Sequence, residues 1–254
     1  MKNFNRLGSG FAALLAAVIL TTPSYCDPVD DLIRQLQFQA TKKDALNSLM
    51  LKGDARAVKP MFAVLEEEAA DTIKNRGAGA YGAAGAIGHM RHRQDQKIID
   101  AIDIETEGMV RQMSAASDVT GKIVRIHALG YIGSPISVHV LINLLDDNKL
   151  GGDALIALSY IKNSEAADAL KKYALSKADA DALRAIYALR KIATRNSLKA
   201  IDELAKKHPS AKVRKRARED SIELISILDK KCRTNTKQHA PKPHTETELK
   251  DKNK

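Results

Sequence analysis

Seven positive side chains lie within thirteen residues near the C-terminal end of this chain: Lys206, Lys207, Lys212, Arg214, Lys215, Arg216 and Arg218, interrupted by His208-Pro209. A cluster of that density draws anions, whether an anionic envelope polymer, lipid headgroups or an acidic protein. A solvated capping helix is the plain structural reading of the same run. No aromatic residue interleaves with the bases, so stacking of single-stranded nucleic acid finds no support. Gly77-Ala78-Gly79-Ala80-Tyr81-Gly82 matches the G-x-G-x-x-G string. That string binds dinucleotides only between a strand and a helix, and Ala69 to Arg76 reads as polar and helical. The glycines are better read as a loop and close helix packing, because Gly82, Gly85 and Gly88 recur every three residues. In a helix interior each glycine costs roughly 1 kcal/mol relative to Ala, which marks 77–88 as a weak point or an irregular helix.

The remaining reactive side chains form no complete constellation. His89 and His92 stand three apart but lack a carboxylate or thiolate to finish a metal site, so an exposed turn is the reading there. His127 and His139 are expected at helix edges. Most of the acids in Asp30-Asp31, Glu66 to Glu68, Asp146-Asp147 and Asp179/Asp181 are expected at helix starts or on solvated faces. A catalytic carboxylate pair needs an apolar pocket to separate its two pKa values, and nothing in the sequence marks one. No Gly-flanked serine elbow and no Cys–His pair is present. The sequence therefore points to no catalytic residue, metal ligand or cofactor.

The elements that must carry these residues are helices. Apolar content is 44% with only 4% aromatics and no Trp, so Ala, Leu and Ile form the core, a composition suited to closely packed helices. Lys2 and Arg6 precede an uncharged, mostly apolar Leu7 to Thr22 and a small-residue exit at Ser24-Tyr25-Cys26. That is the pattern of a signal peptide over 1–26 and of an exported, periplasmic protein, with a lipid anchor at Cys26 or an uncleaved N-terminal anchor as alternatives. Cys26 and Cys232 are the only cysteines, so no disulfide framework holds the fold. Residues 27–203 hold 24 basic and 24 acidic side chains, whereas 204–254 hold 15 and 7. The positive excess belongs to the C-terminal end alone.

Internal repetition organises the rest. Val124 to Ile132 is an apolar helix stopped by Gly133. Ser134-Pro135 restarts the chain, and Val138, Leu141, Ile142 and Leu145 mark a second amphipathic helix. The pattern recurs at Ala154 to Ile161 with Ala166, Ala169, Leu170 and Tyr173, and again at Leu183 to Ile192 with Leu198, Ile201 and Leu204. Aligning the turns on Gly133, Lys162 and Ala193 gives offsets of 29 and 31 residues. Upstream, Lys43 to Gly53 fits the same template, with Leu51 where Tyr131 stands. The stretched offset between Gly88 and Gly133 implies an extra turn or helix in Ile104 to Thr120. A lead-in over 27–41, a repeat domain over 42–229 (most regular over 122–206) and a disordered basic tail over 230–254 follow.

The segment Arg125-Ile126-His127-Ala128-Leu129-Gly130-Tyr131-Ile132-Gly133, its echo at Ala154 to Ile161 and the Val138/Leu141/Leu145 spacing resemble HEAT repeats. The likeness is to the short HEAT-like repeats named after phycobilisome lyases. Pro60 inside the first unit, which would move that helix's start to near Lys59, and the glycine-rich second unit depart from the pattern. The resemblance implies an all-α, right-handed α-solenoid of about five to six helical hairpins. Its second helices would line the concave side and expose Asn143, Lys171, Lys172, Lys199 and Asp202 there. The implied role is a non-catalytic protein–protein scaffold or adaptor of the cell envelope. A binder of an anionic envelope ligand through the basic end is one alternative, and an enzyme similar to the phycobilin lyases is the other. Export argues against a nucleic-acid partner, and export with no marked reactive site argues against the enzyme.

Overall fold

The computed structural model describes residues 27–70 and 78–238. The expected signal peptide over 1–26, with Cys26, lies outside them, as do residues 71–77, with Gly77, and 239–254. Among the described residues there are twelve helices and no strand. A leading helix α1 (Pro28–Gln35) is followed by five hairpins and a closing helix. The hairpins are α2 (Lys42–Lys52) with α3 (Ala55–Ala70), α4 (Ala78–Arg91) with α5 (Gln96–Ala115), α6 (Val119–Ile132) with α7 (Pro135–Leu144), α8 (Gly151–Tyr160) with α9 (Ser164–Ser176), and α10 (Asp179–Ile192) with α11 (Arg195–Lys207). The closing helix is α12 (Ala211–Gln238). The first helices α2, α4, α6, α8 and α10 pack side by side with α12 in one layer, and α3, α5, α7, α9 and α11 form the other. The chain is an all-α solenoid.

Local sequence explains where the helices begin and end. The side chains of Asp95, Asp118, Ser134, Asn163 and Thr194 accept hydrogen bonds from first-turn N–H groups of α5, α6, α7, α9 and α11. Gly133 ends α6 at φ +63°, the left-handed cap that glycine adopts without a Cβ penalty. Ala193 ends α10 in the same conformation at φ +51° without that exemption. The apolar repeat positions form one continuous core, in which Leu129, Val138, Leu141, Leu158, Leu170, Leu189, Ile201 and Leu204 are fully buried. No hairpin could bury its own stripe alone; the neighbours on either side complete each layer of the core.

Four expectations take a more definite form. The lead-in over 27–41 contains helix α1, tied to α3 by Arg56, which reaches Asp27 at 2.7 Å and Asp30 at 3.0 Å. Helix α3 starts at Ala55 and carries Pro60 in its interior, rather than starting near Lys59. The long offset before Gly133 comes from extra turns rather than an added helix: α5 is a single helix of 20 residues, with Met109 and Met113 buried along it. The tail expected from Lys230 begins inside α12, which continues to Gln238. Extending a formed helix adds a hydrogen bond for each residue ordered, so a helix once begun continues at low cost.

The glycine-rich segment is a regular helix, and its glycines divide by role. Gly88 of α4 faces the backbone of α6, where a Cβ would collide with the Tyr131 carbonyl oxygen. Gly130 of α6 faces α8, and a Cβ there would stand 2.6 Å from the Ala157 carbonyl oxygen and 2.9 Å from its Cα. These glycines let three first helices approach backbone to backbone. Gly82 and Gly85 face open space, so they carry only the entropic cost of glycine in a helix. Opposite signs are expected. Gly130→Ala should destabilise by about 1–3 kcal/mol through forced separation of α6 and α8. Gly85→Ala should stabilise by roughly 0.5–1 kcal/mol. Thermal unfolding of the two variants checks this; a stabilising Gly130→Ala would refute the close-approach account.

Candidate binding surfaces

The second-helix layer is open. Over α5, α7 and α9 its helices pack more loosely than the first helices beside them. A groove of about 1000 Å³ lies between α7 and α9, floored by Ile142, Leu145, Ala169 and Tyr173 and rimmed by Asp146, Glu165, Asp168, Lys171 and Lys172. A smaller groove of about 270 Å³ lies between α9 and α11 and includes Lys199 and Glu203. The five residues expected on this face are distributed as follows. Asn143, Lys172 and Lys199 are exposed. Lys171 is half-buried, with its ammonium 3.0 Å from Glu203 and 3.4 Å from Asp168. The hydrogen bond to Glu203, and then that to Asp168, holds the Lys171 pKa above its ordinary value, so it is a fixed cation. Asp202 accepts from the Ser221 hydroxyl at 2.5 Å and ties α11 to α12. Lys171 and Asp202 therefore serve the stack first.

The basic cluster divides in the same way. Lys207 bridges Glu203 at 2.7 Å, and Arg216 bridges the buried Asp220 at 3.1 Å. Arg214 donates to the carbonyls of His208 and Pro209 at 2.7 and 2.6 Å, which closes the turn between α11 and α12. His208 is buried in that turn, with Nε2 3.1 Å from the Ala174 carbonyl and Nδ1 accepting from the Ser210 amide at 3.1 Å. Lys206, Lys212, Lys215 and Arg218 are exposed and make no ion pair among the described residues. Four cations of the original seven remain open to an anion.

Other singled-out residues find structural places. Gly79 to Gly82 lie within α4, not in a strand-to-helix turn. His89 and His92 are exposed at the end of α4 and in the turn after it, with their rings nearly perpendicular and centroids 6.4 Å apart. Glu66 and Glu68 are corrections, since they sit late in α3, largely buried, rather than at a helix start or on a solvated face. Arg125 of α6 donates to Glu66 at 2.8 Å, and Lys42 of α2 donates to Glu68 at 3.1 Å. Burial is tolerated there because each carboxylate has a cation from another helix. Asp147 caps the turn into α8, accepting from the amides of Leu150 and Lys149, which lowers its carboxyl pKa.

The largest feature missed in the sequence is a row of aromatics on the outer face of the first helices. Tyr131 of α6 stacks on Tyr160 of α8, with ring centroids 4.7 Å apart and planes 11° apart. Tyr81 of α4 approaches Tyr131 at 6.0 Å and meets the edge of His127 at 5.9 Å. His127 is in turn fixed by Asp153 at 3.0 Å. Tyr187 of α10 continues the row, flanked by the Arg190 and Lys191 cations at 5.4 and 5.6 Å from its ring. Tyr131, Ile156, Tyr160 and Tyr187 are 39%, 41%, 42% and 48% exposed. A signal existed in the sequence: Tyr131 and Tyr160 are 29 residues apart, the same as the turn-to-turn offset from Gly133 to Lys162.

No family model matches the chain, and no curated protein matches it. Solved structures do. An engineered protein is 22% identical, with 79% of this chain and 97% of that one covered and a TM-score of 0.34. A designed armadillo repeat protein in complex with the peptide (KR)4 is 18% identical, with 78% and 99% covered and a TM-score of 0.36. Computationally designed armadillo repeat proteins for modular peptide recognition are 16% identical, with 77% and 99% covered and a TM-score of 0.33. At these scores the likeness carries no argument about function. The resemblance to HEAT-like repeats rests on this chain's own repeats, and the all-α solenoid it implied is observed.

The tyrosines give a titration test. Burial raises the phenol pKa of Tyr81, Tyr160 and Tyr173 above the ordinary value of 10.0. At Tyr160 the neighbouring Tyr131 adds to the rise. A raised folded pKa contributes stability that is complete below the unfolded value and lost as pH climbs through the folded one. Phenolate absorbance of the native protein should therefore lag that of the denaturant-unfolded chain, and Tm should fall as pH passes about 10. Superimposable native and unfolded titration curves would refute it.

Proposed function

We propose that the chain is a non-catalytic scaffold that binds another protein, exported to the periplasm and acting in the cell envelope. The observation that carries this reading is the exposed Tyr131, Ile156, Tyr160 and Tyr187 on the successive first helices α6, α8 and α10, with Tyr131 stacked on Tyr160. Single exposed apolar side chains are ordinary, whereas a continuous row of them marks a surface that another molecule covers. Tyrosine supplies large contact area at low conformational cost and is enriched at binding hot spots. The Arg190 and Lys191 cations at one end give the charged rim usual at such a patch. The grooves of the opposite layer offer a second surface on the same scaffold. Export rests on the basic residues Lys2 and Arg6 and on the apolar stretch after them.

A second reading has its own observation. The open cations Lys206, Lys212, Lys215 and Arg218 suit an anionic envelope polymer or lipid. The two readings separate on salt, because attraction of open charges is screened while burial of tyrosine is not.

Proximity labelling from the tagged chain in its native envelope identifies the partner, and titration with the purified partner then tests the surface. Tyr160→Ala and Tyr187→Ala should each weaken binding by about 2 kcal/mol, some thirtyfold in Kd. Neutralising Lys212, Lys215 and Arg218 should leave Kd within about twofold. An unchanged Kd in both tyrosine variants excludes the row as the binding site. Fractionation tests export: the protein should appear in the periplasmic or envelope fraction. Full-length protein retaining residues 1–26 in the cytoplasm would exclude it.

A further inference from the structure

Tyr131 and Tyr160 are placed unlike the other tyrosines. Their rings lie nearly parallel, 11° apart, at a centroid separation of 4.7 Å. With the rings face to face at that separation, the two phenols are held within van der Waals reach of one another, and a small rotation of either ring brings their ortho carbons together. The pair joins α6 to α8 across the Gly130–Ala157 approach, where a Cβ on Gly130 would collide with the facing backbone. Both rings are about two-fifths exposed, at 39% and 42%, so a small oxidant or a protein oxidant's radical product reaches them. Tyr173, by contrast, has the Lys177 ammonium 5.2 Å from its ring and no aromatic ring within stacking distance among the described residues.

We propose that Tyr131 and Tyr160 form an oxidative modification site, at which a peroxidase-type oxidant joins them into an intramolecular dityrosine. The balance is simple. Each phenol loses one electron and one proton to give a phenoxyl radical. The two radicals combine in a carbon–carbon bond between their ortho carbons. The two hydrogens on those carbons then return to the ring oxygens and restore both phenols. The two electrons and two protons released reduce one hydrogen peroxide, activated by a haem peroxidase, to two waters. Held partners react at a far higher effective concentration than free ones, so coupling inside the molecule outruns coupling between molecules. The product is a covalent tie between two neighbouring hairpins, set in the middle of the outer tyrosine row. It would stiffen the stack at α6 and α8 and change the face offered to a partner. The inference does not depend on the scaffold reading; a bound partner that covers the row would protect the pair.

The test uses the purified full chain at low micromolar concentration, a haem peroxidase and one equivalent of hydrogen peroxide. The expected product is a monomer lighter by two hydrogens, with dityrosine fluorescence. Trypsin should release residues 126–149 joined to 150–162, and fragmentation should place the link at Tyr131 and Tyr160. Tyr131→Phe and Tyr160→Phe keep the ring packing, and each should lower the yield by about tenfold or more. Tyr173→Phe should leave it unchanged. A higher Tm of the cross-linked monomer reports the tie itself. Three results would overturn the proposal: dimers as the main product, the same link at equal yield in the denaturant-unfolded chain, or an undiminished yield in either pair variant.

Discussion

Backbone contact between first helices governs this structure. Helix α6 meets α4 at Gly88 and α8 at Gly130, with no side chain between the backbones. Ridge-and-groove packing with ordinary side chains keeps helix axes some 8–10 Å apart; a bare glycine lets the two backbones meet where a Cβ would collide. Dispersion contacts at close range are individually small and add up over a helix length. The cost is the entropy of glycine in a helix, which the buried core must offset.

Much of the surface chemistry follows from that approach. Tyr131 directly follows Gly130, and Tyr160 lies three residues past Ala157. Bringing the two backbones together brings the two rings into a stack. The opposite layer shows the complementary effect: α7 and α9 stand apart, and the large groove between them follows. One layer thus offers a dense aromatic row and the other a set of open channels. An array of repeats produces such extended surfaces because each unit contributes one position to each row.

The charged residues show how a stack spends its ions on registry. Glu66 with Arg125 and Glu68 with Lys42 bury carboxylates between helices, where each is tolerable only with its cation in place. One oxygen of Glu66 remains without a hydrogen bond among the described residues, so that pair contributes to placing the helices more than to net stability. Arg214, His208 and Ser210 close the last turn in a similar manner. What looks in sequence like one basic cluster is a set of structural ties plus four open cations.

The sequence by itself determined the helices, their caps and the repeat. Gly133, Ser134, Asn163 and Thr194 act over one or two turns of local chain, and the apolar spacing needs only the helical period to show which side is buried. It also determined that the positive excess belongs to the C-terminal end. Tertiary structure alone decided which glycines touch another backbone, since Gly85 and Gly88 look alike in a string and differ only by what lies opposite. It decided that Glu66 is half of a buried pair, because Arg125 stands 59 residues away. It placed Tyr81, Tyr131, Tyr160 and Tyr187 in one row, because their registers combine the repeat length with the lateral packing of four helices. Local periodicity assigns a residue to a face of its own helix; only the contact between helices says which residues of different repeats become neighbours.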